Sequence, residues 1–150
     1  MLDARSQRRL HGLCRQRRAD GLANELLEAE RAGARVTLES ARAAGSSPLG
    51  KLLRSIQRDE ARWCAVLLHQ LKALGEQPSS QTGAFYGKAM AIADLRERIA
   101  LLNRGQAWVV KRLREILPRV RDSELHSGLR EMLESHEANI DLVNGFAWPL

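Results

Sequence analysis

The chain has 150 residues, of which 44% are hydrophobic and 28% charged, enough for one domain with its own core and too apolar for a mainly disordered polymer. No uncharged apolar run approaches the roughly 18–20 residues needed to cross a bilayer, which argues against a membrane span. The net charge of +6 is uneven: residues 1–20 hold Arg5, Arg8, Arg9, Arg15, Arg17 and Arg18 against Asp3 and Asp20, and the remainder is close to balanced.

Residues 1–20 read as a basic, disordered arm, able to make weak contact with nucleic acid or another anionic surface. Cys14 and Cys64 are the only cysteines. They are too few for a disulfide framework, so a cytoplasmic setting is expected.

From residue 21 onward the apolar spacing is helical throughout, with no alternating stretch long enough for a strand. The first predicted helix runs from Gly21 to Ala44, with Asp20 as its N-cap and Leu22, Leu26, Leu27, Ala34, Val36, Leu38 and Ala41 on its inner face. Gly45 ends it. Ser47 and Pro48 then start a second helix, expected over Pro48–Leu74, with Leu49, Leu52, Leu53, Ile56, Trp63, Val66, Leu67, Leu71 and Leu74 inward.

A long connection follows Gly75 and ends at Phe85 and Tyr86. The third helix is expected as one piece over Gly87–Leu117, ended by Pro118. The fourth is expected over Ser123–Gly145, with Leu125, Leu129, Met132, Leu133, Ile140 and Val143 facing in. Residues 146–150 form an apolar tail that folds back or enters a partner subunit. Four such helices imply an all-α fold: a four-helix bundle over residues 21–145, made of two antiparallel hairpins. The roughly twelve residues of the middle connection reach about 40 Å when extended, so a long central crossover is favoured over an up-and-down chain.

Polar residues interrupt these stripes at one height. Glu30 lies four after Leu26, and Glu60 four after Ile56. Gln106 lies midway between Ile99 and Leu113, and His136 four after Met132. Glu30 and Glu60 stand 16 and 14 residues from the turn at Ser46, and Gln106 and His136 stand 14 and 16 from the turn at Val120. Glu137 shares the flank of His136. Carboxylates in an apolar interior need partners, an ion or water.

These hairpins, the long connection and the midpoint glutamates resemble the ferritin-like superfamily. The segments Thr82-Gly83-Ala84-Phe85-Tyr86-Gly87 and Asn103-Arg104-Gly105-Gln106-Ala107-Trp108-Val109-Val110 resemble a small bacterial family of uncharacterised ferritin-like proteins. Metal-binding members of the superfamily carry one glutamate on each of two helices and a Glu-x-x-His pair on each of the other two. Glu30 matches the first glutamate and Glu60 the glutamate of a pair. Trp63 stands where the histidine belongs, Gln106 where a glutamate belongs, and Leu133 where the carboxylate before His136 belongs.

The resemblance therefore implies an incomplete di-iron set. The expectation is no cofactor and an interaction or structural protein, a homodimer through its tail. The alternative is a metal-binding oxidoreductase or storage protein holding iron, manganese or zinc on Glu30, Glu60, His136 and Glu137. A small-molecule pocket at the same place is the third reading. Cys64 is expected as an inert thiol, and His69 and His126 as surface or boundary residues.

Overall fold

The computed structural model describes the backbone of residues 4–149 and the side chains of residues 21–149. Expectations about the side chains of the arm, and about residues 1–3 and 150, lie outside the described residues. The structure is all-α, with no strand among the described residues. Its helices are α1 (Ala4–Ala44), α2 (Pro48–Ala73), α3 (Phe85–Met90), α4 (Leu95–Ile116) and α5 (Ser123–Asn144), with a 3-10 turn at Leu117–Arg119.

Helix α1 begins at Ala4, not at Gly21, so the backbone of the expected arm continues the helix and Asp20 lies inside it. The segment is rich in arginine, alanine, leucine and glutamine and contains no proline, and helix propensity carries it past the expected cap. The C-terminal end is as expected. Gly45 adopts φ +62°, where a side chain would be strained, and its N–H donates to the Ala41 carbonyl. The turn is tight: a Cβ on Gly50 would lie 2.1 Å from the Gly45 carbonyl oxygen. Ser47 caps α2, its hydroxyl accepting from the Gly50 N–H at 3.1 Å.

The expected third helix is two. It breaks after Met90, and α4 restarts with Asp94 as N-cap, its carboxylate accepting from the Glu97 N–H at 3.0 Å. Arg98, itself buried, reaches back to donate twice to the Ile92 carbonyl, at 3.0 and 2.8 Å. Asp94 and Glu97 have the spacing of a capping box, and that signal outweighs the apolar periodicity running through the break. Asp122 caps α5 by accepting from the Leu125 N–H.

The helices pack in the pairs α1–α2, α4–α5, α1–α4 and α2–α5. Two apolar clusters show their directions. One, near the Gly45 turn, joins Val36, Ala41, Leu49, Leu53 and Ile56 to Ile99, Leu102 and Val143. The other, at the far end, joins Leu26, Leu27, Trp63, Leu67 and Leu71 to Val109, Leu113, Leu129 and Met132. Helices α2 and α4 thus run the same way, and the chain between them must travel back.

It does so along α1. The Asn24 amide donates to the Gln77 carbonyl and its oxygen accepts from the Ser79 N–H. Arg31 donates to the carbonyls of Ser79 and Gln81, each at 2.8 Å, and the Arg35 guanidinium sits 4.1 Å above the Tyr86 ring. The tail also returns: Phe146 and Trp148, edge to face with each other, pack against the cluster near the Gly45 turn, with Arg96 over the Trp148 ring.

Inside the helices the inner faces differ in detail from the expected stripes. Ala34, Leu38 and Ile140 are only half-buried, while Ala32, Gly33, Thr37, Ser40 and Asn139 are buried. On α1 small residues let α2 approach closely. On α5 the Asn139 amide reaches the Asp59 carboxylate of α2 at 3.1 Å.

Candidate functional site

Between the two apolar clusters lies a polar layer with one member from each long helix. Glu30 falls between Leu27 and Val36, Glu60 between Ile56 and Trp63, Gln106 between Leu102 and Val109, and His136 between Met132 and Val143. They are 2%, 3%, 3% and 2% exposed, respectively. The sequence levels of the four are therefore those of the folded chain.

His136 and Glu30 form a buried pair, with Nε2 2.8 Å from Oε1. The other ring nitrogen, Nδ1, lies 2.9 Å from the Met132 carbonyl oxygen one turn earlier. Nδ1 donates to the backbone carbonyl, and Nε2 and Glu30 Oε1 share a proton between them. Burial by itself pulls the imidazole down, but the Glu30 charge and hydrogen bond override it and hold His136 above its ordinary value.

Glu60 is the opposite case. Burial first, and then repulsion from Glu30, push its carboxyl well above the usual carboxylate range, against a smaller opposing pull from Thr37. Geometry agrees with a neutral Glu60. The Thr37 hydroxyl lies 3.2 Å from Glu60 Oε2 but also 2.8 Å from the Gly33 carbonyl oxygen. Its one proton is drawn to the nearer backbone acceptor, so Thr37 gives a charged Glu60 only weak support. The carboxyl rests directly on Gly33, where a Cβ would stand 2.8 Å from Oε1 and 2.9 Å from Oε2.

Gln106 takes no part in the hydrogen bonding of this layer. Both its amide atoms, and Glu30 Oε2, are buried without a partner. Glu137 is not in the layer at all: its carboxylate is 42% exposed and pairs with Arg114 at 2.7 Å on the outer face. One residue beyond His136 the helix has turned by about 100°, which carries Glu137 away from the interior. Trp63, three residues after Glu60, is buried and donates through its indole N–H to Ser135. Cys64, flanking the layer, has its thiol pushed up to about 12 by burial and by the nearby Glu30 and Glu60, which makes it a poor nucleophile at neutral pH. His69 is exposed and His126 half-buried.

A cavity of about 440 Å³ opens onto this layer from the side of α1 and α4. Glu30, Gly33, Glu60, Gln106 and His136 line its depth, Ala29, Leu101, Leu102 and Val109 its walls, and residues 82–85 one side. Phe85 packs against Gly105, where a Cβ would meet the ring at 3.0 Å. Glu25, Glu28, Arg104 and Trp108 complete the lining, and Trp108 is 40% exposed. Gly33, Thr37 and the Phe85–Gly105 contact went unread in the sequence. The usable signal was a glycine three residues after Glu30, inside an otherwise strong helix.

The donor set does not fit a di-iron centre. Trp63, Gln106 and Leu133 stand where three ligands would be needed, His136 is engaged by Glu30 and the backbone, and Glu137 faces out. Among the described residues no group of three or more histidine, cysteine or acidic side chains is arranged to hold a metal ion.

Residues 20–145 match a family described as "Domain of unknown function (DUF6306)". The chain belongs to this family. The DUF6306 match encloses every residue lining the cavity, and it leaves out residues 1–19 and the folded-back tail. No curated protein and no solved structure matches the chain.

Proposed function

We propose that this chain is a non-catalytic, ligand-binding four-helix bundle of ferritin-like architecture, in which a small-molecule pocket occupies the level where a di-iron centre would lie. The observation that carries the reading is the cavity of about 440 Å³, which joins apolar walls to buried polar groups at one end. Ligand sites commonly have volumes of about 300–1,000 Å³, with mostly apolar linings and a few placed polar groups. The parallel run of α2 and α4, with the return of the chain along α1, supports the ferritin-like arrangement.

The test is binding of a small apolar probe, toluene, followed by Trp108 emission and by thermal shift. Wild-type protein should bind it, and Ala29→Phe, which fills the cavity from α1, should abolish binding while remaining folded. Absence of binding to the wild type overturns the pocket. A second reading, a metal centre, draws on the unpartnered Oε2 of Glu30. Equimolar retention of iron, manganese or zinc, lost in Glu30→Gln, would establish that reading in place of the first.

A further inference from the structure

At the polar end of the cavity lie buried groups whose hydrogen-bonding capacity is unmet. Gln106 offers an amide oxygen and an amide nitrogen, neither partnered, and Glu30 offers the unpartnered Oε2. A guest that satisfies all three must supply two N–H or O–H donors and one acceptor at one end. Geometry narrows the choice. His136 already occupies Glu30 Oε1 at 2.8 Å, so only the second carboxylate oxygen is left for a guest.

An ammonium group would leave the Gln106 nitrogen with no acceptor. A carboxylate would confront Glu30 Oε2 with a second negative oxygen. A primary carboxamide has the right inventory: its NH₂ serves Glu30 Oε2 and the Gln106 oxygen, and its carbonyl accepts from the Gln106 nitrogen. The body of the guest meets Leu101, Leu102, Phe85 and Val109, with the half-exposed Trp108 at the edge. An aromatic ring suits such a lining. In this structure neither Gln106 amide atom has accessible surface. The terminal torsion of a glutamine is broad, so a small rotation turns it onto a guest.

Resting on the pocket reading above, we propose that the cavity takes an uncharged, small aromatic carboxamide, held at its amide end by Gln106 and Glu30. The test compares benzamide, benzylammonium, benzoate and toluene by titration of the full chain. Benzamide should bind at least about tenfold more tightly than the other three, the scale of one recovered buried hydrogen bond. Gln106→Leu should bring benzamide down to the level of toluene. In the wild type, benzamide should also shift the Gln106 side-chain amide resonances, a readout that does not depend on the variant folding.

Equal affinities, a preference for benzylammonium or benzoate, or unshifted Gln106 resonances would overturn the ligand class. Toluene bound without any advantage for benzamide leaves the pocket and removes the carboxamide. Failure of all four probes removes the pocket itself.

Discussion

Glu60 holds its proton more tightly than an ordinary carboxyl because ionising it would bury a charge and, secondly, set that charge against Glu30. The consequence for stability follows from where the proton sits in each state. In the unfolded chain Glu60 titrates near 4.5, and in the folded chain it titrates well above that. Between the two, the folded state binds more protons, so stability falls as pH rises. His136 acts with the same sign. Its contribution is complete below about 6.5 and is lost as pH rises through its raised folded value. The melting temperature should therefore decline from about pH 5 to pH 8, and Glu60→Gln should remove the more acidic part of the decline and add about 1–3 kcal/mol at pH 8. Melting curves across pH check this, and parallel profiles for the two proteins would contradict it.

Gly33 makes room for the same carboxyl. Gly33→Ala should cost about 1–3 kcal/mol in the wild type through crowding. In a Glu60→Ala background it should instead stabilise, by up to about 1 kcal/mol, because alanine is the better helix former. Denaturant unfolding of the four proteins in that cycle gives the coupling. Glu30, Glu60, Gln106 and His136 were legible from sequence because each is a polar interruption at a core position of a strong stripe. Glu137 was misplaced because adjacency on a helix is not a shared face. Thr37 and Gly33 were invisible for another reason, since small residues carry little periodic signal.

At the scale of helices, the break before α4 shows local chemistry overriding pattern. Apolar positions continue from Ile92 through Leu95 to Ile99, so periodicity alone draws one helix. Asp94 nevertheless caps a new start, and Arg98 ties the Ile92 carbonyl back to it. Asp94→Ala should cost about 1 kcal/mol, with Asp94→Ser close to neutral, since serine also accepts from the first turn. Urea melts distinguish them. The other boundaries were read closely because Ser47-Pro48, Gly75 and Asp122 mark them explicitly. The start of α1 was not, because nothing between Ala4 and Gly21 distinguishes a helix from a solvated tail except propensity.

For the whole molecule, the length of the middle connection was the readable clue to its path, and its hydrogen bonds to α1 show how that path is held. Arg31 contributes by donating to two carbonyls of this strap, Asn24 makes two more bonds to it, and the Glu28 carboxylate accepts from the Ser79 hydroxyl. Because residues 82–85 form one side of the cavity, Arg31→Ala should loosen that wall. Amide exchange at residues 79–85 should accelerate, while exchange in α2 and α5 stays unchanged. Unaltered exchange in the strap would show that Asn24 and Glu28 suffice.

The cramped contact of Gly33 with Glu60 also reaches beyond one chain. Two positions that compete for one methyl's worth of space cannot drift independently over evolutionary time. Related sequences that have acquired a side chain at position 33 should be those whose position 60 has shrunk, so this pair will leave a trace of linked change wherever the lineage is sampled deeply.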